Sequence, residues 1–174
     1  MNYRISKYSP LDRDADGSYK PDSWTNVSDI GRFFSNQKLC AKEYLDVEEN
    51  YWKTLKYFLE FYGIDQFEIH DIEIHSMPSS FFSKSEFFSC DVFSEYLHEG
   101  TVCSLKIIEM IVRLCLREEI WCKLQNQRGD FIHFGYDYYM YFGSSQKDEI
   151  NIDTTKLPHG IFVEIFDSPY LEDT

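Results

Sequence analysis

The chain has 174 residues, 43 % of them apolar and 18 % aromatic, with a formal net charge of −13. That length and apolar content exclude a disordered class and suffice for one domain, residues 1–174, whose core needs neither disulfide nor metal. No apolar run approaches the roughly 20 residues that cross a bilayer; Val102 to Leu116 comes nearest, and Lys106, Glu109 and Arg113 interrupt it.

In chain order, Asn2 to Tyr8 alternates Tyr3 and Ile5 with polar residues and predicts a short strand. A polar loop follows from Ser9 to Ser23, and Asp29–Ile30–Gly31 predicts a turn. A helix is predicted from Lys42 to Tyr62, closed by Gly63. It sets Leu45, Trp52, Leu55, Leu59 and Tyr62 on one face, and Asp46, Glu49, Lys53, Lys56 and Glu60 on the other. Phe67 to His75 reads as a strand whose apolar phase shifts between Ile69 and Ile72, which predicts a bulge near His70–Asp71. Ser79 to Leu97 fits loop, short helix or both. Thr101 to Arg117 reads as a second, core-embedded helix with a narrow polar stripe of Lys106, Glu109, Arg113 and Arg117. Ile120 to Gln125 and Phe131 to Phe142 predict a hairpin around Asn126–Asp130, and Gly160 to Phe166 a last strand. This order predicts an α+β fold, an antiparallel sheet with two main helices packed on one face.

Few motifs carry chemistry. Asp12, Asp14, Asp16 and Gly17 match the first half of a calcium loop. The second half fails, with Lys20 at loop position nine and Ser23 where the bidentate glutamate belongs, so an Asx-rich turn is expected. The histidines at 70, 75, 98, 133 and 159 lack zinc-finger spacing, and no metal or cofactor is expected. The five cysteines, an odd count without a C-x-x-C pair, predict reduced, buried, structural thiols. The Arg128–Gly129–Asp130 triplet spells an integrin motif but sits where a turn is predicted. Local signatures of hydrolases, nucleotide-binding loops and metalloproteases are absent, so no catalytic residue is assigned and no enzyme is expected. MNYRISKY has no apolar signal core, and the chain carries neither a myristoylation glycine nor a prenylation box, so a cytoplasmic location is expected.

The charge is uneven. Residues 1–59 hold nine acids and nine bases; residues 60–99 hold nine acids against Lys84 alone; residues 100–174 hold twelve acids and seven bases. Such a field repels nucleic acid and anionic membrane, so neither is an expected partner, and it attracts basic proteins. Within this block Glu68, Asp71 and Glu73 are candidate partner-binding residues. In Phe131 to Phe142, alternation places Ile132, Phe134, Tyr136, Tyr138, Met140 and Phe142 toward the core. It places Phe131, His133, Gly135, Asp137, Tyr139 and Tyr141 on an outer face that either binds a partner or is covered by another part of the chain. His133, Asp137, Tyr139 and Tyr141 are the binding candidates there.

The segments YRISKY and GYDYYMYFG, the acidic balance and the α+β pattern together resemble the immunity proteins of bacterial polymorphic-toxin and contact-dependent growth-inhibition systems. The resemblance implies a protein that binds a cognate toxin domain, often a basic nuclease, and blocks its active site with carboxylates and aromatic side chains. It carries over no individual functional residue. Two other readings remain open on the residues alone: a small cytosolic enzyme with an unrecognised site, which predicts a deep pocket, and a structural or regulatory subunit, which predicts a broad apolar patch.

Overall fold

The computed structural model describes residues 1–75, 97–146 and 153–171. Strand β1 (Asn2–Ser6) comes first, and a small hairpin of β2 (Phe33–Phe34) and β3 (Gln37–Lys38) follows a polar loop. Helix α1 (Ala41–Tyr62), strand β4 (Gln66–Ile74), the short strand β5 (Val102–Ser104) and helix α2 (Leu105–Leu116) come next. Strands β6 (Ile120–Gln125), β7 (Phe131–Phe134), β8 (Met140–Gly143) and β9 (Phe162–Ile165) complete the order. Seven of these strands form one sheet, in the order β5-β4-β6-β7-β8-β1-β9, and its pairings are antiparallel. The predicted α+β class and antiparallel sheet with two main helices are therefore present. Among the described residues no helix is long and apolar enough to cross a membrane.

Helix α1 forms where its apolar spacing predicts. Cys40 caps its start, the sulfur accepting from the Glu43 N–H, and Gly63 closes it with a φ of 61°, a left-handed conformation that costs glycine little. Tyr51, Leu55, Phe58 and Leu59 are buried, while Lys53, Lys56 and Glu60 are exposed. The Phe58 ring packs at 5.0 Å from Tyr3 and 5.2 Å from Phe142. Those two residues belong to a row that crosses five strands, Tyr3, Phe142, Ile132, Leu124 and Ile69, all buried. Helix α2 adds Ile108, Ile111 and Leu114 to the same cluster. The bulge predicted in β4 is present: the register shifts between His70 and Glu73, and Asp71 has a φ of 54°.

Two predicted elements differ. The stretch read as the first turn of α2 is β5, paired with β4 through Cys103 and Phe67. Val102–Cys103–Ser104 runs exposed, buried, exposed, a period of two that overrides the helical one. Phe131 to Phe142 is two strands joined by a tight turn, not one. Asp137 and Tyr138 have φ of 56° and 65°, the left-handed pair that a type I′-like hairpin turn requires. Phe134 and Met140 pair across the turn and point to the same face, so the alternation passes through the turn unbroken in sequence. Tyr136, expected in the core, stands 86 % exposed at the tip instead. Among the cysteines, 103, 115 and 122 are buried, but Cys40 is exposed at its cap; Cys90, like most of Ser79 to Leu97, lies outside the described residues.

A tyrosine in left-handed backbone is strained, and its surroundings hold it there. Tyr51 Oη donates to the Tyr138 carbonyl and Tyr8 Oη to the Asp137 carbonyl, each at 2.7 Å. The Tyr138 ring stands edge-on to Trp24, Tyr44 and Tyr51.

On the opposite sheet face, Gly143 is required for space. A Cβ there would lie 2.1 Å from Phe131 Cε1 and 2.7 Å from Asn2 Oδ1. Gly143→Ala must push the Phe131 ring aside, and an expected loss of roughly 1–3 kcal/mol is read from urea unfolding. The double variant with Phe131→Leu should recover part of it; a neutral Gly143→Ala contradicts the packing.

Candidate functional site

The outer sheet face divides into a covered half and an open half. The segment after β9 covers β7 and β8. Ser168 Oγ lies 2.9 Å from His133 Nδ1, Phe166 packs beside Tyr141, and Tyr170 sits edge-on to both Tyr141 and His133. His133 and Tyr141 are accordingly buried. Tyr139 is half-buried, and its hydroxyl accepts from Arg13 Nη1 at 3.1 Å. Of the two alternatives for this face, cover by the chain itself is the one realised for His133 and Tyr141.

The acidic candidates behave differently. Asp71 and Glu73 are exposed, Glu68 is half-buried, and Asp137 is exposed in the β7–β8 turn. Lys123 reaches Asp71 at 2.8 Å, and its hydrogen bond and charge hold that carboxyl below the usual range. His70 lies between Glu68 and Glu99, at 3.7 and 3.4 Å. Among the described residues no group of three or more metal-ligating side chains is placed to hold an ion. In the Asp-rich loop, Asp14 Oδ1 accepts from the N–H groups of Asp16 and Ser18, which is an Asx turn. The Asp130 carboxylate of the Arg-Gly-Asp triplet faces inward, accepting from Asn126, Ser144 and Ser145.

A cleft of 620 Å3 opens where β4 ends, β6 begins and the β7–β8 turn projects. Its lining includes Glu73, His75 and Glu118 together with Trp121, Tyr136 and Tyr170, and Glu73 and Trp121 are paired neighbours on β4 and β6. The indole of Trp121 is fixed by its Nε1–H, which donates to the Phe134 carbonyl at 2.9 Å, and Tyr170 packs 5.8 Å from it. Gly135 leaves room for this wall: a Cβ there would meet Tyr141 at 3.0 Å and the Tyr170 hydroxyl at 3.5 Å.

Glu118 reaches the cleft because α2 ends without a glycine. The N–H groups of Glu118 and Glu119 turn back to the carbonyls of Cys115 and Leu114, and Glu118 takes a φ of 58° at the position glycine usually fills. Partial burial raises its carboxyl pKa, as do the nearby charges of Asp29 and Asp137, while His75 acts in the opposite direction. Asp71, Glu118 and Asp137 are three acidic residues held on left-handed backbone.

Four arginines are turned inward. Arg4 and Arg13 meet Glu164, Arg113 meets Glu48, Glu49 and Glu109, and Arg117 meets Glu48. Trp121 could have been found from the alternation of Ile120 to Gln125; His75, Glu118, Tyr136 and Tyr170 had no sequence signal, because turns and the return of the C-terminal segment place them. No family model, curated protein or solved structure matches this chain.

Proposed function

We propose that the chain is an immunity protein that neutralises a cognate, basic toxin domain by covering its active site with carboxylates and aromatic side chains. The observation that carries the reading is the cleft lined by the carboxylates of Glu73 and Glu118 and by Trp121, Tyr136 and Tyr170, with Asp137 close enough to Glu118 to act on its charge. A basic nuclease surface offers lysine and arginine to these carboxylates. Long-range attraction speeds encounter, and desolvated aromatic contacts slow dissociation. Glu68, Asp71 and Glu73 along β4 extend the negative field; His133 and Tyr141 are excluded from the interface by their burial.

The test is association kinetics with the basic protein captured from host lysate. In Glu68→Gln/Asp71→Asn/Glu73→Gln the on-rate should fall by roughly tenfold at low salt and its salt dependence should flatten, with the off-rate little changed. Unchanged kinetics remove these carboxylates from the interface. A small enzyme is the second reading, favoured by the volume of the same cleft and by the raised carboxyl of Glu118. It predicts turnover that Glu118→Gln abolishes, whereas the neutralising reading predicts none.

A further inference from the structure

We propose that the cleft is a receptor for one arginine side chain of the basic partner, its guanidinium stacked on the Trp121–Tyr136–Tyr170 wall and bonded to Glu118 and Glu73. This rests on the partner-binding reading and names the group that the site takes.

The argument begins with charge. Glu73 and Glu118 line the cleft, Asp137 and Asp29 lie close enough to Glu118 to act on its ionisation, and no lysine or arginine is among the described residues lining it. An anionic ligand would be repelled, and a neutral apolar one would cover carboxylates without pairing them. A cation relieves the crowding of like charges. The walls then choose between cations. A guanidinium is planar, weakly hydrated, stacks on aromatic faces and bonds carboxylates through a rigid fork; an ammonium is compact and strongly hydrated. An aromatic wall beside a carboxylate rim fits the first. The chain itself builds the same arrangement internally: Arg4 lies 4.1 Å over the Phe166 ring while bonding Glu164 at 3.0 Å, and Arg13 lies over Tyr139 while meeting Glu164 at 3.4 Å. The cleft brings the same two elements, carboxylates and aromatic rings, into one cavity. The wall is already ordered, since Trp121 is pinned to the Phe134 carbonyl and Tyr170 packs against it, so little freedom is lost on binding.

The experiment titrates the full chain with N-acetyl-arginine amide, N-acetyl-lysine amide and the uncharged N-acetyl-citrulline amide, following the three indole N–H signals by NMR. The expected result is a saturable shift of the Trp121 signal, with Trp24 and Trp52 unmoved. The citrulline derivative should bind at least about tenfold more weakly, since a hydrogen bond to a charged group is worth more than that ratio requires. The lysine derivative should fall between them. Glu118→Gln and the exposed Tyr136→Ala should each weaken the arginine derivative severalfold while leaving unfolding unchanged. Equal binding of arginine and citrulline derivatives, or no shift at Trp121, overturns the proposal. The two readings fail separately: a captured basic partner whose affinity is indifferent to Glu118→Gln and Tyr136→Ala refutes the arginine pocket and leaves the partner reading standing. A host that yields no basic partner refutes the reading itself, whatever the amides do.

Discussion

Glu48→Ala should be the most destabilising single carboxylate removal in the chain, costing about 3–5 kcal/mol. Glu48 is fully buried on α1 and receives Arg113 of α2 and Arg117 at the end of that helix. Arg117 binds it through two nitrogens, Nε at 2.6 Å and Nη2 at 2.8 Å, and Arg113 adds Nη1 at 3.1 Å. Arg117 is 3 % exposed. Removing the carboxylate takes away both Glu48 bonds to this buried guanidinium, and the lost charge pairing dominates the cost. Burial depresses the pKa of Arg117, but its carboxylate contacts outweigh that effect and hold the guanidinium charged. Glu49→Ala is the control. Glu49 meets the same Arg113 at 2.6 Å, but its side chain is 41 % exposed, so its loss should cost no more than about 1 kcal/mol. Thermal unfolding checks both: a drop on the order of 10 °C for Glu48→Ala and a few degrees for Glu49→Ala is expected. Equal effects contradict a buried clamp between the helices.

Acid should loosen the covered half of the outer sheet face through His133. Burial lowers its imidazole pKa to about 4, Lys123 adds to the shift, and Asp71 opposes it. The folded protein therefore holds the neutral ring, while the unfolded chain takes up a proton near pH 6.5. Between those values the unfolded state binds more protons, so stability is full above about pH 6.5 and is lost as pH falls toward 4. The contribution is roughly 2–3 kcal/mol at the lower end. The same burial disfavours a charged ring in this place, between Phe131 at 4.4 Å and Ser168, so the covering segment that carries Ser168 and Tyr170 should release as the ring takes up its proton. Urea midpoints of the protein and of His133→Phe between pH 4 and 7 measure the effect. The variant should lack this part of the acid loss; parallel pH curves, or an imidazole that titrates near 6.5 by NMR, contradict the assignment.

The sequence exposed most of the backbone plan, because hydrophobic period and punctuation are local. Gly63 marks the end of α1, and the phase shift between Ile69 and Ile72 marks the bulge that the register confirms. It failed where two periods overlap. Thr101 to Ser104 reads as helix beside a strongly apolar helix, yet pairs with β4. The turn at Gly135–Tyr139 disappears from the alternation because the residues on either side of it keep the same phase, and Tyr138 takes a backbone conformation that tertiary contacts, not its own preference, impose. The same logic governs the site. Glu73 was legible as an acid near a strand end, whereas Asp137 was read on a strand face and lies in the turn instead. The burial of His133 and Tyr141 was not, since it depends on a segment some thirty residues further along. Glu48 reads in sequence as one more helix acid, and only the approach of α2 makes it a buried anchor.

Comparative capture from host lysate, using the protein and its Glu73→Gln/Glu118→Gln/Tyr136→Ala variant side by side, tests the neutralising role most directly. The captured protein is then assayed for nuclease activity with increasing amounts of the chain. The account predicts one basic protein, held by the protein and released by salt, lost with the variant, and silenced at a one-to-one ratio. A captured protein that both forms hold equally, or whose activity the chain leaves untouched, would contradict it.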